Sequence, residues 1–97
     1  MKNFMLLMHD DTTIPPDEAA WGGYIESLIT TGGFEGGSSI GPGLCFRKGG
    51  DVPQIAKQFV GYMRIQASSL EEAATRLAGN PVFEAGGTVE IRELPQT

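Results

Sequence analysis

Residues Phe59 to Val82, FVGYMRIQASSLEEAATRLAGNPV, restrict the possible folds more than any other stretch. They read as a strand, a turn at Ala67-Ser68-Ser69, a short amphipathic helix, and a stop at Gly79-Asn80-Pro81. Strict alternation puts Phe59, Met63 and Ile65 on one face of the strand and Val60 and Tyr62 on the other. A strand buried on one side alternates apolar with polar residues, so a strand apolar on both sides is expected to be covered twice. A chain of 97 residues with two helices can supply one covering layer. The second cover is expected to be another copy of the chain.

Lys2 to His9 has the same two-sided character, with Phe4, Leu6 and Met8 on one face and Met5, Leu7 and His9 on the other. After the polar loop from His9 to Thr13, Pro15-Pro16 with Asp17 and Glu18 opens a helix, because proline suits the first turn and acids complement its dipole. Trp21, Tyr24, Ile25, Leu28 and Ile29 form its apolar stripe through about Thr31, and Gly32-Gly33 ends it. Gly22-Gly23 costs roughly 1 kcal/mol per glycine relative to alanine, which implies either close packing or a frayed first turn.

The segment from Phe34 to Lys48 is broken by glycines. Leu44-Cys45-Phe46-Arg47 is expected to be its strand, at a sheet edge, with Gly36 to Gly43 a bulged strand or a loop. In the second helix Ser68 or Ser69 with Glu71 or Glu72 makes a capping box, and Leu70, Ala73, Ala74 and Leu77 make the stripe. Gly79 caps it and Pro81 prevents continuation; Thr88 to Leu94 then alternates plainly, Val89 and Ile91 against Glu90 and Arg92.

The order β-α-β-β-α-β, with the two-sided strands first and third, matches the centre of a ferredoxin-like sheet. The predicted fold is therefore α+β: one domain over residues 1–97, a four-stranded antiparallel sheet with two helices on one face. Its open face would pair with a second chain to give a dimeric α+β barrel. Composition narrows the partners. A net charge of -5 without a basic run argues against nucleic acid or an anionic membrane, and no apolar run is long enough to cross a bilayer. A single cysteine, Cys45, fits a reducing cytoplasm and is expected to be a buried apolar thiol.

The chain resembles the YCII-related, or DGPF-domain, proteins. The resemblance is carried by Met5-Leu6-Leu7, Trp21, Gly61-Tyr62, Ser69-Leu70-Glu71-Glu72-Ala73, Asn80-Pro81 and Gly86-Gly87-Thr88-Val89-Glu90-Ile91-Arg92. It spans nearly the whole chain, and the name-giving Asp-Gly-Pro-Phe is altered to Asp51-Val52-Pro53-Gln54. The resemblance implies a dimeric α+β barrel with a small cleft. The His and Asp proposed as a dyad in some such proteins would fall at Trp21 and Thr30, so this chain lacks that pair.

Few residues remain for chemistry. His9, the one histidine, precedes Asp10 and Asp11 at the end of a central strand and could act as a general base; it could equally be a strand-end residue in a polar loop. Tyr62 and Arg64 share the strand face turned away from the helices, where Arg64 could anchor a carboxylate or enolate oxygen, or pair with Glu90 across a dimer seam. Trp21 is a core anchor that could also wall a cleft. One His beside adjacent acids provides too few ligands for a metal, and the glycine run from Gly32 to Gly50 fits neither a P-loop nor a dinucleotide fingerprint, so no metal or cofactor is expected.

The leading expectation is a homodimer that binds a small organic ligand, neutral or anionic, between sheet and first helix through Trp21, Tyr62 and Arg64. An alternative is a cofactor-free enzyme of lactone-isomerase or dehalogenating-lyase type, with His9 and Asp10 moving a proton and Arg64 steadying an oxyanion. A third is a structural or regulatory dimerisation module.

Overall fold

The computed structural model of the protein describes residues 1–96. Its elements are β1 (Lys2–His9), a 3-10 turn at Glu18–Ala20, α1 (Trp21–Thr30), β2 (Phe34–Ser39), β3 (Phe59–Ala67), α2 (Leu70–Ala74) with a 3-10 turn at Thr75–Leu77, α3 (Pro81–Glu84) and β4 (Val89–Leu94). The four strands form one antiparallel sheet in the order β2-β3-β1-β4, which is the ferredoxin-like arrangement. The two strands with apolar faces on both sides, β1 and β3, are the central ones, as their pattern requires.

Burial sorts the faces. Phe4, Leu6 and Met8 of β1 and Met63, Ile65 and Ala67 of β3 form the core with Tyr24 and Leu28 of α1, Ala73 of α2 and Val82 of α3. The opposite face pairs Leu7 with Tyr62 and Glu90, and Met5 with Arg64 and Arg92. Met5, Leu7 and Tyr62 are half-buried there.

Local chemistry sets the helix ends. The Asp17 side chain accepts from the Ala19 N–H, so the helical region begins at Glu18 rather than at the prolines. Gly32, at φ 83°, ends α1 in the left-handed conformation that glycine adopts without steric cost. A Cβ placed on Gly22 or Gly23 would meet nothing within 4 Å, so close packing does not explain that pair. Ser69 caps α2 by accepting from the Glu72 N–H, and the Glu72 carboxylate reaches back to the N–H and hydroxyl of Ser68.

Several expectations are corrected. The second strand is Phe34–Ser39, and Leu44-Cys45-Phe46-Arg47 belongs to no regular element. Cys45 is half-exposed rather than buried, because its segment leaves the body of the protein. Leu70 and Ile29 are exposed, at the edges of stripes narrower than their spacing suggested. Pro81 does not simply stop a helix: it occupies the first turn of α3, which Asn80 caps. Phe59 does not share the face of Met63. A register shift between Met8 and His9 sets Phe59 opposite His9, and the two rings pack edge-on at 5.3 Å.

Candidate functional site

At the end of the sheet where β1 finishes and β3 begins, a cavity of about 470 Å³ opens between the sheet and α1. Its existence follows from residue size. Gly37 and Ser39 of β2 and Gly61 of β3 lie at core-facing register positions, beside Met63 and Met8. Without large side chains at these three places the sheet leaves a notch that α1 cannot fill. The notch is also tightly specified, since a Cβ on Gly37 would come within 2.5 Å of the Tyr62 carbonyl oxygen.

The apolar walls are Met8, Trp21, Ile25, Val60 and Val82, with Ser38 and Ser39 along one edge. Trp21 and Ile25, four residues apart on α1, present adjacent faces to the opening, and Trp21 packs edge-on to Tyr24 at 6.1 Å. The exposed carboxylates Asp10 and Glu18 stand at the mouth. Among the described residues, neither Arg nor Lys lines the cavity.

The residues singled out in sequence are therefore partly brought together. His9, Asp10, Trp21 and Tyr62 all border the cavity, although strand register sets His9 and Tyr62 on the face of the sheet turned away from α1. Arg64 does not border it: it is exposed further along β3, on the face it shares with Tyr62 and in register with Met5. Arg64 therefore supplies no cation to this cavity; its place is on the open face of the sheet.

The imidazole of His9 has a partner that adjacent acids do not supply. Its Nε2 lies 3.1 Å from Glu90 Oε1, while Glu90 Oε2 accepts from Arg92 at 3.1 Å. These two contacts, Arg92 first, lower the Glu90 pKa below the usual carboxylate range. Asp11, not Asp10, is the tethered acid of the loop. Its two oxygens accept from the Thr88 N–H at 2.7 Å and the Thr88 hydroxyl at 2.6 Å, tying the loop to the start of β4. Both bonds favour the ionised form and lower the Asp11 pKa, the hydroxyl contact most strongly.

The sign of the resulting pH dependence is fixed. A carboxylate whose folded pKa is depressed stabilises the fold above its unfolded value, about 3.9 for Asp, and loses that contribution as pH falls through the folded value. Thermal melts of the Asp11→Asn variant between about pH 6 and pH 2.5 are expected to lose less midpoint temperature on acidification than the parent protein. Identical acid limbs for both proteins would remove Asp11 from the set of residues that hold β4.

The sequence offers Glu90 only as a partner of Arg64 across a dimer seam; its meeting with His9 depends on the β1–β4 register, which sets it beside Leu7. The cavity itself did leave a signal. Gly61 within a hydrophobic strand marks a bulge or a close approach, and here it does both.

Comparison with protein-family models and with curated proteins found no match for this chain. Among the described residues, no three His, Cys, Asp or Glu side chains cluster as metal ligands, and no helix is long and apolar enough to cross a membrane.

Proposed function

We propose that this is a cytoplasmic homodimeric small-molecule-binding protein of the YCII-related type, with its ligand in the cavity between α1 and the sheet. The observation that carries the reading is the cavity: about 470 Å³, mainly apolar, with the exposed Asp10 and Glu18 at its mouth. That volume lies in the usual range for small-ligand sites. The homodimer is supported by the half-buried Met5, Leu7 and Tyr62 on the face that no helix of the same chain covers. Pairing of those faces would complete a dimeric α+β barrel.

The ligand in this reading is largely apolar and not anionic, because Asp10 and Glu18 flank the mouth and, among the described residues, neither Lys nor Arg lines the cavity. Trp21 is the single tryptophan, so its fluorescence reports directly on the cavity wall. Titration with benzyl alcohol, benzylamine and benzoate compares three charges on one ring. Benzyl alcohol and benzylamine are expected to shift Trp21 emission with dissociation constants of about 1 mM, equivalent to about 4 kcal/mol, and benzoate to bind at least about tenfold more weakly. Equal binding of benzoate would overturn the charge reading, and no response to any of the three would overturn the cavity as a binding site.

The His9–Glu90 contact beside the cavity favours one second reading, a proton-transferring enzyme of lactone-isomerase or dehalogenating-lyase type. Glu90 would then orient the imidazole in the place first given to Asp10. The oxyanion role given to Arg64 has no counterpart at this position, which is why binding is preferred to catalysis.

A further inference from the structure

Between β2 and β3 the chain runs out and back over residues 40–58 without covering any of its own core. The base of this arm is pinned. The Ile40 N–H donates to the Val60 carbonyl at 3.0 Å, and the Asp10 N–H donates to the Gln58 carbonyl at 2.6 Å. Further out, a Cβ on Gly43 would lie 3.3 Å from Ile55 Cδ1, so the two legs face one another. At the tip, the Arg47 guanidinium donates to the Asp51 carbonyl at 2.7 Å, and Gly50 turns the chain at φ 80°.

The arm is an ordered projection with an apolar end. Leu44 is 79% exposed and Phe46 86%, the two most exposed large hydrophobic side chains of the described residues. Val52 and Ile55 are also exposed. The projection expands the molecule: the radius of gyration is 14.8 Å, against about 12.5 Å for a compact domain of this length. Large apolar side chains carried this far from their own core are a docking surface.

Charge identifies the occupant. The arm carries Arg47, Lys48 and Lys57 against Asp51, a net of +2, so the chain's -5 leaves -7 on the remainder. Much of that negative charge is in the loop before α1, where Asp10, Asp11, Asp17 and Glu18 have no Lys or Arg among them. Two of these acids, Asp10 and Glu18, border the cavity, as do the apolar Pro16, Trp21 and Val60. No arm residue lines the cavity of its own chain, although the arm springs from its rim at Ser39 and Val60. A surface of basic and apolar residues and a receptor of acidic and apolar residues thus coexist on one chain without meeting.

We propose that the arm of one protomer closes the cavity mouth of a second copy. Leu44 and Phe46 pack on the rim made by Pro16, Trp21 and Val60, and Arg47 and Lys48 sit beside Asp10 and Glu18. Eight residues from base to tip give a reach of roughly 26 Å, enough to cross between adjoining protomers. The exchange is reciprocal, as two-fold symmetry requires, so each ligand site is built from two chains. This inference rests on the homodimer reading and adds a contact that sheet pairing alone does not supply.

The test uses the single native cysteine. Cys45 sits between Leu44 and Phe46, and a benzophenone maleimide attached there samples what the arm touches. Labelled protein is mixed with nitrogen-15 chains and irradiated. Cross-links from light to heavy chains within residues 8–25 are expected; links only within one chain, or only to other surfaces, overturn the proposal. Charge reversal provides the second arm of the test. R47E/K48E and D10K/E18K are each expected to weaken self-association about tenfold or more, and mixing the two variants is expected to restore it, because both contacts in the mixed dimer then have opposite charges. Sedimentation separates the two levels of failure. A parent protein that is monomeric at micromolar concentration overturns the homodimer reading and this inference with it. A dimeric parent whose R47E/K48E variant associates equally well overturns the arm contact alone.

Discussion

Phe4→Ala is expected to destabilise the protein by about 3–5 kcal/mol, the largest effect of any single truncation in the sheet. Phe4 is fully buried in β1, a central strand of the sheet, paired with Ile65 on one side and Glu93 on the other. Removing the ring takes away its burial energy and leaves a hole that the two flanking strands cannot close without breaking their ladders. A domain of this size has a total stability of about 5–15 kcal/mol, so the loss is a large fraction of the whole. The melting midpoint is expected to fall by about 15–30 °C, read by circular dichroism and by urea unfolding. A drop below about 1 kcal/mol would mean that the core does not centre on this residue.

Leu7→Ala gives the informative contrast, because Leu7 lies on the same strand but on the open face. In an isolated protomer its truncation should cost less than Phe4→Ala and be independent of protein concentration. If the open faces pair, its cost grows with protein concentration, since association and folding are then linked. One strand thus reports on both covers of the sheet.

The degree to which the architecture could be read from sequence follows the strength of local patterning. β1 and β3 announce themselves because their spans of eight and nine residues carry apolar side chains on both faces, the pattern expected of a central strand. β2 does not, because FEGGSS has almost no strand preference of its own and pairs only because β3 offers it an edge. The alternation at Leu44-Cys45-Phe46-Arg47 is real, but its apolar residues are exposed on the arm rather than spent on a sheet. The site divides in the same way. Trp21 and His9 are legible as residues out of the ordinary, whereas the Glu90 contact and the displacement of Arg64 depend on strand register and face, which a one-residue bulge can change. The altered position of Phe59 has that origin.

Asn80→Ala is the second large perturbation, and it bears on the cavity as well as on stability. Asn80 is fully buried, and its Oδ1 accepts from the N–H groups of Val82 at 3.0 Å and Phe83 at 3.1 Å. Its Nδ2 lies 3.6 Å from the Met8 sulfur. The side chain therefore caps α3 from inside the core, and truncation leaves backbone donors without an acceptor where water does not readily replace it. The expected cost is about 2–4 kcal/mol, or about 10–25 °C in melting midpoint. Asn80→Ser retains a capping oxygen and is expected to recover about half of that loss. Because Val82 and Met8 both line the cavity, Asn80→Ala should also weaken benzyl alcohol binding at temperatures where the variant is still folded. If Ala and Ser prove equally destabilising, the energy resides in the contact with Met8 and in filled volume, not in the cap. If Asn80→Ala melts as the parent does, α3 takes no part in holding the cavity wall.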